Sequence, residues 1–223
     1  MLAVFLVACA APRGSGAGGG RNRIAPSAFR VSRPYFRIGD PYPFATCPVS
    51  GEDLAVTKTG LIKSYGGREV RFCCSQCSRL FGQDLVSSFA EVDRSIVADQ
   101  EGIYPMRDSV VTGRQLPARP VEFVVGNRLV RVASSDEREA VMKGPSKFLD
   151  ALSRAVARSQ ADGYGLSSCP VSGRPIGLPA PPYLEAVVAG RLIRVCCPDC
   201  LANIDENPAK YIAVVDAARK SPG

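Results

Sequence analysis

The chain of 223 residues has no histidine and no tryptophan, and aromatic residues make up only 7% of it. The missing histidine removes the commonest metal ligand and the commonest general base of proteins. Any transition-metal site must therefore be built from thiolates, with carboxylates as the remaining strong donors. There is also no P-loop, no glycine-rich dinucleotide fingerprint and no nucleophile elbow. No catalytic set is visible, and the chain is not expected to be an enzyme. A basic face studded with aromatics is missing too, so nucleic acid is not an expected partner.

What is present begins with enough apolar residues, 46%, to build globular cores. The formal charge is +7, and six of the 28 basic residues precede position 40: Arg13, Arg21, Arg23, Arg30, Arg33 and Arg37. Residues 1–8 are apolar throughout but far too few to span a bilayer as a helix. Leu6-Val7-Ala8-Cys9 resembles the lipobox of bacterial lipoproteins, which implies cleavage before Cys9 and lipidation of that cysteine. Residues 1–8 are accordingly expected to be a signal peptide and 9–42 a flexible Gly/Ala/Arg/Pro-rich tether. The expected location is the cell envelope, at the periplasmic face or the outer membrane, with the basic arm reading as a solvated tether or as a contact for anionic lipid.

Nine cysteines are one at the lipobox plus two sets of four. Cys47-Pro48-Val49-Ser50-Gly51 is followed by Cys73-Cys74-Ser75-Gln76-Cys77, and Cys169-Pro170-Val171-Ser172-Gly173 by Cys196-Cys197-Pro198-Asp199-Cys200. The distances from the lone cysteine to its cluster are nearly equal, 73 − 47 = 26 and 196 − 169 = 27. Between them lies a copy in which Ser109 to Gly113 stands for CPVSG and Ala133 to Glu137 for CCxxC. All four thiols are replaced together there, as expected for a ligand set of which a part is of little use. Ser50-Gly51 and Ser172-Gly173 read as turn residues.

The repetition extends beyond the thiols. An Arg-x-x-Arg strand starts at Arg68, Arg128 and Arg191, with offsets of 128 − 68 = 60 and 191 − 128 = 63. Each is preceded by a two-residue turn (Gly66-Gly67, Gly126-Asn127, Ala189-Gly190) and a strand-like run over 61–65, 121–125 or 184–188. This pattern predicts a β-hairpin. A helical pattern follows, with Leu85, Phe89 and Val92 in the first copy, Phe148, Leu149 and Leu152 in the second, and Tyr211, Ile212 and Val215 in the third. The expected fold is α+β: three tandem small ββα treble-clef-like repeats after a disordered N-terminal tether. Their boundaries are 43–103, 104–163 without cysteines, and 164–223. Repeats of this kind contact mainly their neighbours, so the first and third should be weakly coupled.

Small units with little core are commonly stapled by metal, and Cys74-x-x-Cys77 at a helix start has the spacing of a zinc knuckle. Cys47, Cys73 and Cys77 in C-x25-C-x3-C spacing, with the double cysteine and the following helix, resemble the TRASH and YHS-like heavy-metal-binding modules. The resemblance covers two copies fully and the middle copy in skeleton only. It implies treble-clef-type domains that handle or sense copper, zinc or mercury, without naming the metal. The expected ligands are Cys47, Cys73, Cys74 and Cys77 for one ion and Cys169, Cys196, Cys197 and Cys200 for another, with Zn(II) or Cu(I) as cofactor. Export would place these thiols where disulfides form readily, and Cys47 could then pair with Cys73 or Cys74. The expected function is metal capture, delivery or sensing; the alternative is an interaction scaffold whose zinc ions or disulfides only stabilise the fold. Changing Cys9→Ser should release the protein from membranes; unchanged membrane fractionation would contradict the lipobox.

Overall fold

The computed structural model of the protein describes residues 30–31, 35–57, 60–177 and 183–220. The expected signal peptide over 1–8, the lipobox-like Leu6 to Cys9 and most of the expected tether lie outside these residues. Among those described, the elements are β1 (Arg30–Val31), β2 (Leu61–Tyr65), β3 (Arg68–Phe72), α1 (Ser75–Gln83), α2 (Leu85–Gln100), β4 (Val121–Val125), β5 (Arg128–Val132), α3 (Ser135–Lys143), α4 (Pro145–Gln160), β6 (Leu184–Val188), β7 (Arg191–Val195), α5 (Pro198–Glu206) and α6 (Pro208–Lys220). A short 3-10 turn, Glu101–Ile103, follows α2. The architecture is mixed α and β: three antiparallel hairpins, each followed by two helices.

The hairpins pair with the same geometry. Tyr65 faces Arg68, Val125 faces Arg128, and Val188 faces Arg191. Both turn residues have positive φ in every case: 58° and 87° at Gly66-Gly67, 52° and 63° at Gly126-Asn127, 48° and 75° at Ala189-Gly190. This is the type I′ signature, whose twist matches that of the strands it joins. Asn127 tolerates the left-handed region, whereas Ala189 bears a cost there. β1 adds in parallel to the first hairpin, with Arg30 beside Leu61.

Each unit holds two helices where one was expected. A nine-residue helix carries the thiol cluster or its counterpart, and a second helix of 16, 16 or 13 residues follows. The break has a local cause. Pro145 and Pro208 have no N–H to continue the preceding helix, and Asp84 caps α2 by accepting from the Ser87 amide at 3.0 Å. Three cores result, centred on Val70, Phe72 and Ile96, on Val130, Val132 and Leu152, and on Ile193, Val195 and Tyr211. Phe148 and Tyr211 are buried against their hairpins. Phe89 is half-buried and meets Tyr65 edge-on at 5.9 Å between ring centroids. Leu85 departs from expectation: as the first residue of α2 it points outward and is 39% exposed.

The stretch from Tyr35 to Tyr42, placed by its sequence in a tether of which part would pack onto the first unit, is built into the centre. Asp40 and Tyr42 are buried. The Ile38 amide donates to Gly67 O and the Asp40 amide to Gly126 O, both at 2.7 Å. The Asp40 carboxylate accepts from Arg128 Nε at 2.6 Å and Nη2 at 2.7 Å, and from the Ala189 amide at 2.6 Å. Tips of all three hairpins therefore converge on residues 38–40. Gly126 fits there because a Cβ would lie 2.0 Å from Ile38 O.

The units also clasp one another side to side. Gln100, ending α2, donates to Asn127 O and accepts from the Leu129 amide, both at 3.0 Å. Gln160, ending α4, makes the same pair with Gly190 O and the Leu192 amide. The expected weak coupling of the outer units is corrected by direct contact between them. Arg71 on β3 donates to Asp205 O at 2.6 Å and Glu206 O at 2.5 Å, capping the end of α5. Arg191 pairs with Asp99 of the first unit and Asp216 of its own. Replacing Asp40→Ala should leave Arg128 buried without its counterion and destabilise the whole chain by about 3–5 kcal/mol, read as a lower denaturant midpoint in a single transition.

Candidate metal centres

The first cysteine of each set lies in a tight loop closed by its own backbone. In the first unit the Cys47 amide donates to Glu52 O at 2.8 Å and the Gly51 amide returns to Cys47 O at 2.9 Å. In the third, the Cys169 amide donates to Arg174 O and the Gly173 amide to Cys169 O, at 2.8 and 2.9 Å. Glycine ends each loop because φ is +73° at Gly51 and +72° at Gly173, a conformation that costs other residues.

The hairpin then delivers the second thiol from the end of its outgoing strand, and the first turn of the following helix delivers the third. Cys47, Cys73 and Cys77 bring their Sγ atoms within 4.8 Å of one another, as do Cys169, Cys196 and Cys200. Cys73 and Cys77 Sγ are 3.5 Å apart, and Cys196 and Cys200 Sγ 3.8 Å. Two sulfurs on one tetrahedral zinc at 2.3 Å sit about 3.8 Å apart. Both triads are thus close enough to hold a metal ion. Five of the six sulfur-bearing residues are buried, Cys196 being half-buried. None of the eight described cysteines is in a disulfide.

The electrostatics of each triad are uneven. Burial opposes ionisation of Cys47, but the Ser50 hydroxyl and the amides of Cys73, Ser50 and Val49 outweigh it and bring the thiol down to about 7. Cys169 is likewise brought to about 6, against burial, by the Ser172 hydroxyl and the amides of Ser172, Cys196 and Val171. Burial pushes Cys73, Cys77 and Cys200 upward. One sulfur per triad is prepared as a thiolate by hydrogen bonds, and a bound cation would let its neighbours ionise. The residues present fit a soft ion.

Of the four expected ligands in each set, the structure gathers three. Cys74 and Cys197 stand beside the triads, half-exposed, as N-cap residues of α1 and α5. Cys74 Sγ is 3.8 Å from Cys73 Sγ, and Cys197 Sγ is 3.0 Å from Cys200 Sγ. Cys74 and Cys197 have extended backbone, with φ −157° and ψ 169° at Cys74 and φ −160° and ψ 162° at Cys197, which keeps each adjacent pair from entering the triad together.

The middle unit keeps the same loop, with the Ser109 amide donating to Arg114 O and the Gly113 amide to Ser109 O. Its counterpart of Cys77 is Glu137. That carboxylate accepts from Ser109 Oγ at 2.6 Å, Thr112 Oγ1 at 2.7 Å and the Ala133 amide at 2.8 Å. A single carboxylate joins the three pieces that the thiols occupy in the outer units.

Reading Ser50 and Ser172 as turn residues missed their second role. Ser50 Oγ lies 3.3 Å from Cys73 Sγ and Ser172 Oγ 3.1 Å from Cys196 Sγ. The signal was available: all three loops carry a hydroxyl before the glycine, at Ser50, Thr112 and Ser172.

Among the described residues no helix is long and apolar enough to cross a membrane. Comparison of the chain with protein-family models, with curated proteins and with solved structures found no match.

Changing Glu137→Ala should leave the Ala133 amide and two hydroxyls without their acceptor, destabilising the protein by on the order of 1 kcal/mol. The Ser109 hydrogen bond, then those of Thr112 and the Ala133 amide, hold the Glu137 carboxyl below the usual range despite some burial. Its contribution should be present above the unfolded glutamate pKa of about 4.3 and be lost as the pH falls through the lower folded value. Glu137→Ala should flatten that part of the stability–pH profile.

Proposed function

We propose that the protein binds thiophilic metal ions, one at each cysteine triad, and serves in their capture, delivery or sensing at the cell envelope. The observation that carries the reading is the meeting of Cys47, Cys73 and Cys77, and of Cys169, Cys196 and Cys200, within metal-binding distance. All-thiolate sets of this kind suit Zn(II) and Cu(I).

The matching loops, hairpin turns and helix starts support a finer reading: three copies of one treble-clef-like unit, of TRASH or YHS type, the middle one without its ligands. In this reading Cys9 carries a lipid that anchors the chain, as Leu6 to Cys9 suggest, and the chain binds rather than catalyses. The rival view, that metal only staples the fold, is weakened by the middle unit. There a glutamate closes the same frame without thiols, so the fold of a unit does not demand a metal.

Titration of the reduced, full-length protein with Zn(II) or Cu(I) should reach two ions. Cys77→Ser should remove one, Cys200→Ser the other, and the double variant should bind none, since the middle unit offers no thiol. With free ion a thousandfold above its dissociation constant, each occupied site should add about 4 kcal/mol to folding stability. A single ion lost with either substitution would overturn the two-site reading.

A further inference from the structure

In both thiol-bearing units a fourth cysteine stands beside the triad, whose residues are buried except for half-buried Cys196. Cys74 and Cys197 occupy the N-cap of a nine-residue helix, half-exposed, with Sγ 3.8 Å from Cys73 Sγ in one case and 3.0 Å from Cys200 Sγ in the other. Neither belongs to the three sulfurs of its unit that all lie within 4.8 Å of one another; each touches one triad sulfur only from the side. Capping does not require a thiol here. The corresponding residue of the middle unit is Ser134, whose Oγ accepts from the Glu137 amide at 3.3 Å, and serine is among the preferred N-caps. The two units with a triad carry, at that same position, a soft sulfur that touches both the triad and solvent.

We propose that Cys74 and Cys197 are exchange ligands, through which a soft ion already bound to a thiol enters and leaves the triad. This rests on the metal-binding reading above and names the form in which the ion is handled: Cu(I) passed between thiols. As a Cu–S bond forms to Cys74 Sγ, a Cu–S bond to a donor thiolate breaks. The Cys74 proton departs with the donor, which leaves as a thiol, and copper remains Cu(I). The neighbouring sulfur, Cys73 in the first unit or Cys200 in the third, then takes the ion from within the chain, its thiol proton passing to Cys74 or Cys197 as that residue's Cu–S bond breaks. Cys47 and Cys169, held in their loops at 2% and 1% exposure, complete the triad from the inner side. Three triad sulfurs satisfy Cu(I) at rest. The fourth becomes a ligand only during transfer, and the same path runs outward when an acceptor thiol approaches.

The test uses the full chain, reduced, as wild type and as the double variant Cys74→Ser/Cys197→Ser. The variant places at both helices the residue that α3 already has, so folding is expected to survive; circular dichroism checks it. Loading from a Cu(I)–glutathione complex and removal by a chromophoric Cu(I) chelator are followed by stopped flow, and stoichiometry and affinity are measured at equilibrium. The expected result is two ions bound with nearly unchanged affinity, while loading and removal both slow by about tenfold or more, the scale on which losing one well-placed metal-site group acts. Equal rates with two ions bound would overturn the exchange role alone. A fall in affinity or stoichiometry would make these cysteines permanent ligands and overturn it as well. Failure of the wild type to bind two ions would remove the metal-binding reading, and this inference with it.

Discussion

The Asp40 carboxylate is the interaction on which the arrangement of the molecule depends. It is buried, yet both oxygens are used: Arg128 binds it through two nitrogens, and the Ala189 amide donates to one of the same oxygens. Its residue's own amide and carbonyl bond Gly126 O and Asn127 Nδ2. A buried charge is tolerated only when such partners replace water. Three turns, each stable only in the left-handed region, are thereby brought to one point. The unfavourable backbone of Ala189 is held there by the charge-assisted bond from its amide.

Around that centre the units form a closed set. Gln100 and Gln160 pass one helix end to the next hairpin, while Arg71 joins the first unit to the end of α5. Arg71 lies two residues before Cys73, and α5 begins beside Cys197. A short path of strand, guanidinium and helix thus runs between the two thiol clusters. The clusters are separate in composition but share a mechanical frame.

The thiol-free middle unit shows what each triad does for its own frame. The loop, strand end and helix start must be tied together, and a soft ion between three sulfurs could do so. Glu137 does it with hydrogen bonds instead. Carboxylate and thiol triad meet one geometric demand differently. In the middle unit the negative charge sits on the helix residue and is met by donors; in the outer units three sulfurs close enough to hold an ion occupy the same place. The donors already aimed at Cys47 and Cys169 are the same kind of loop amides and hydroxyls, which is why one loop serves both.

The sequence by itself determined the parts whose information is local. The strands over 61–65, 121–125 and 184–188 are where alternation and glycine turns place them, because a type I′ turn and its flanking pairs are encoded within a dozen residues. Three of the four thiols expected in each set met, since a hairpin necessarily returns its last residue to the loop that precedes it. Tertiary structure alone decided the rest. Nothing near Asp40 in the chain announces partners 88 and 149 residues away, so a Pro- and Arg-rich stretch resembles a tether until those partners are known. The division of adjacent cysteines into an inner and an outer one required the extended backbone at Cys74 and Cys197. The role of Glu137 required the fold to bring residue 137 against residues 109 and 112, and the contact of the outer units required all three hairpin tips to converge. Periodicity and spacing record what neighbours along the chain do, whereas pairing between distant buried polar groups is settled only when the packed units exclude water from both.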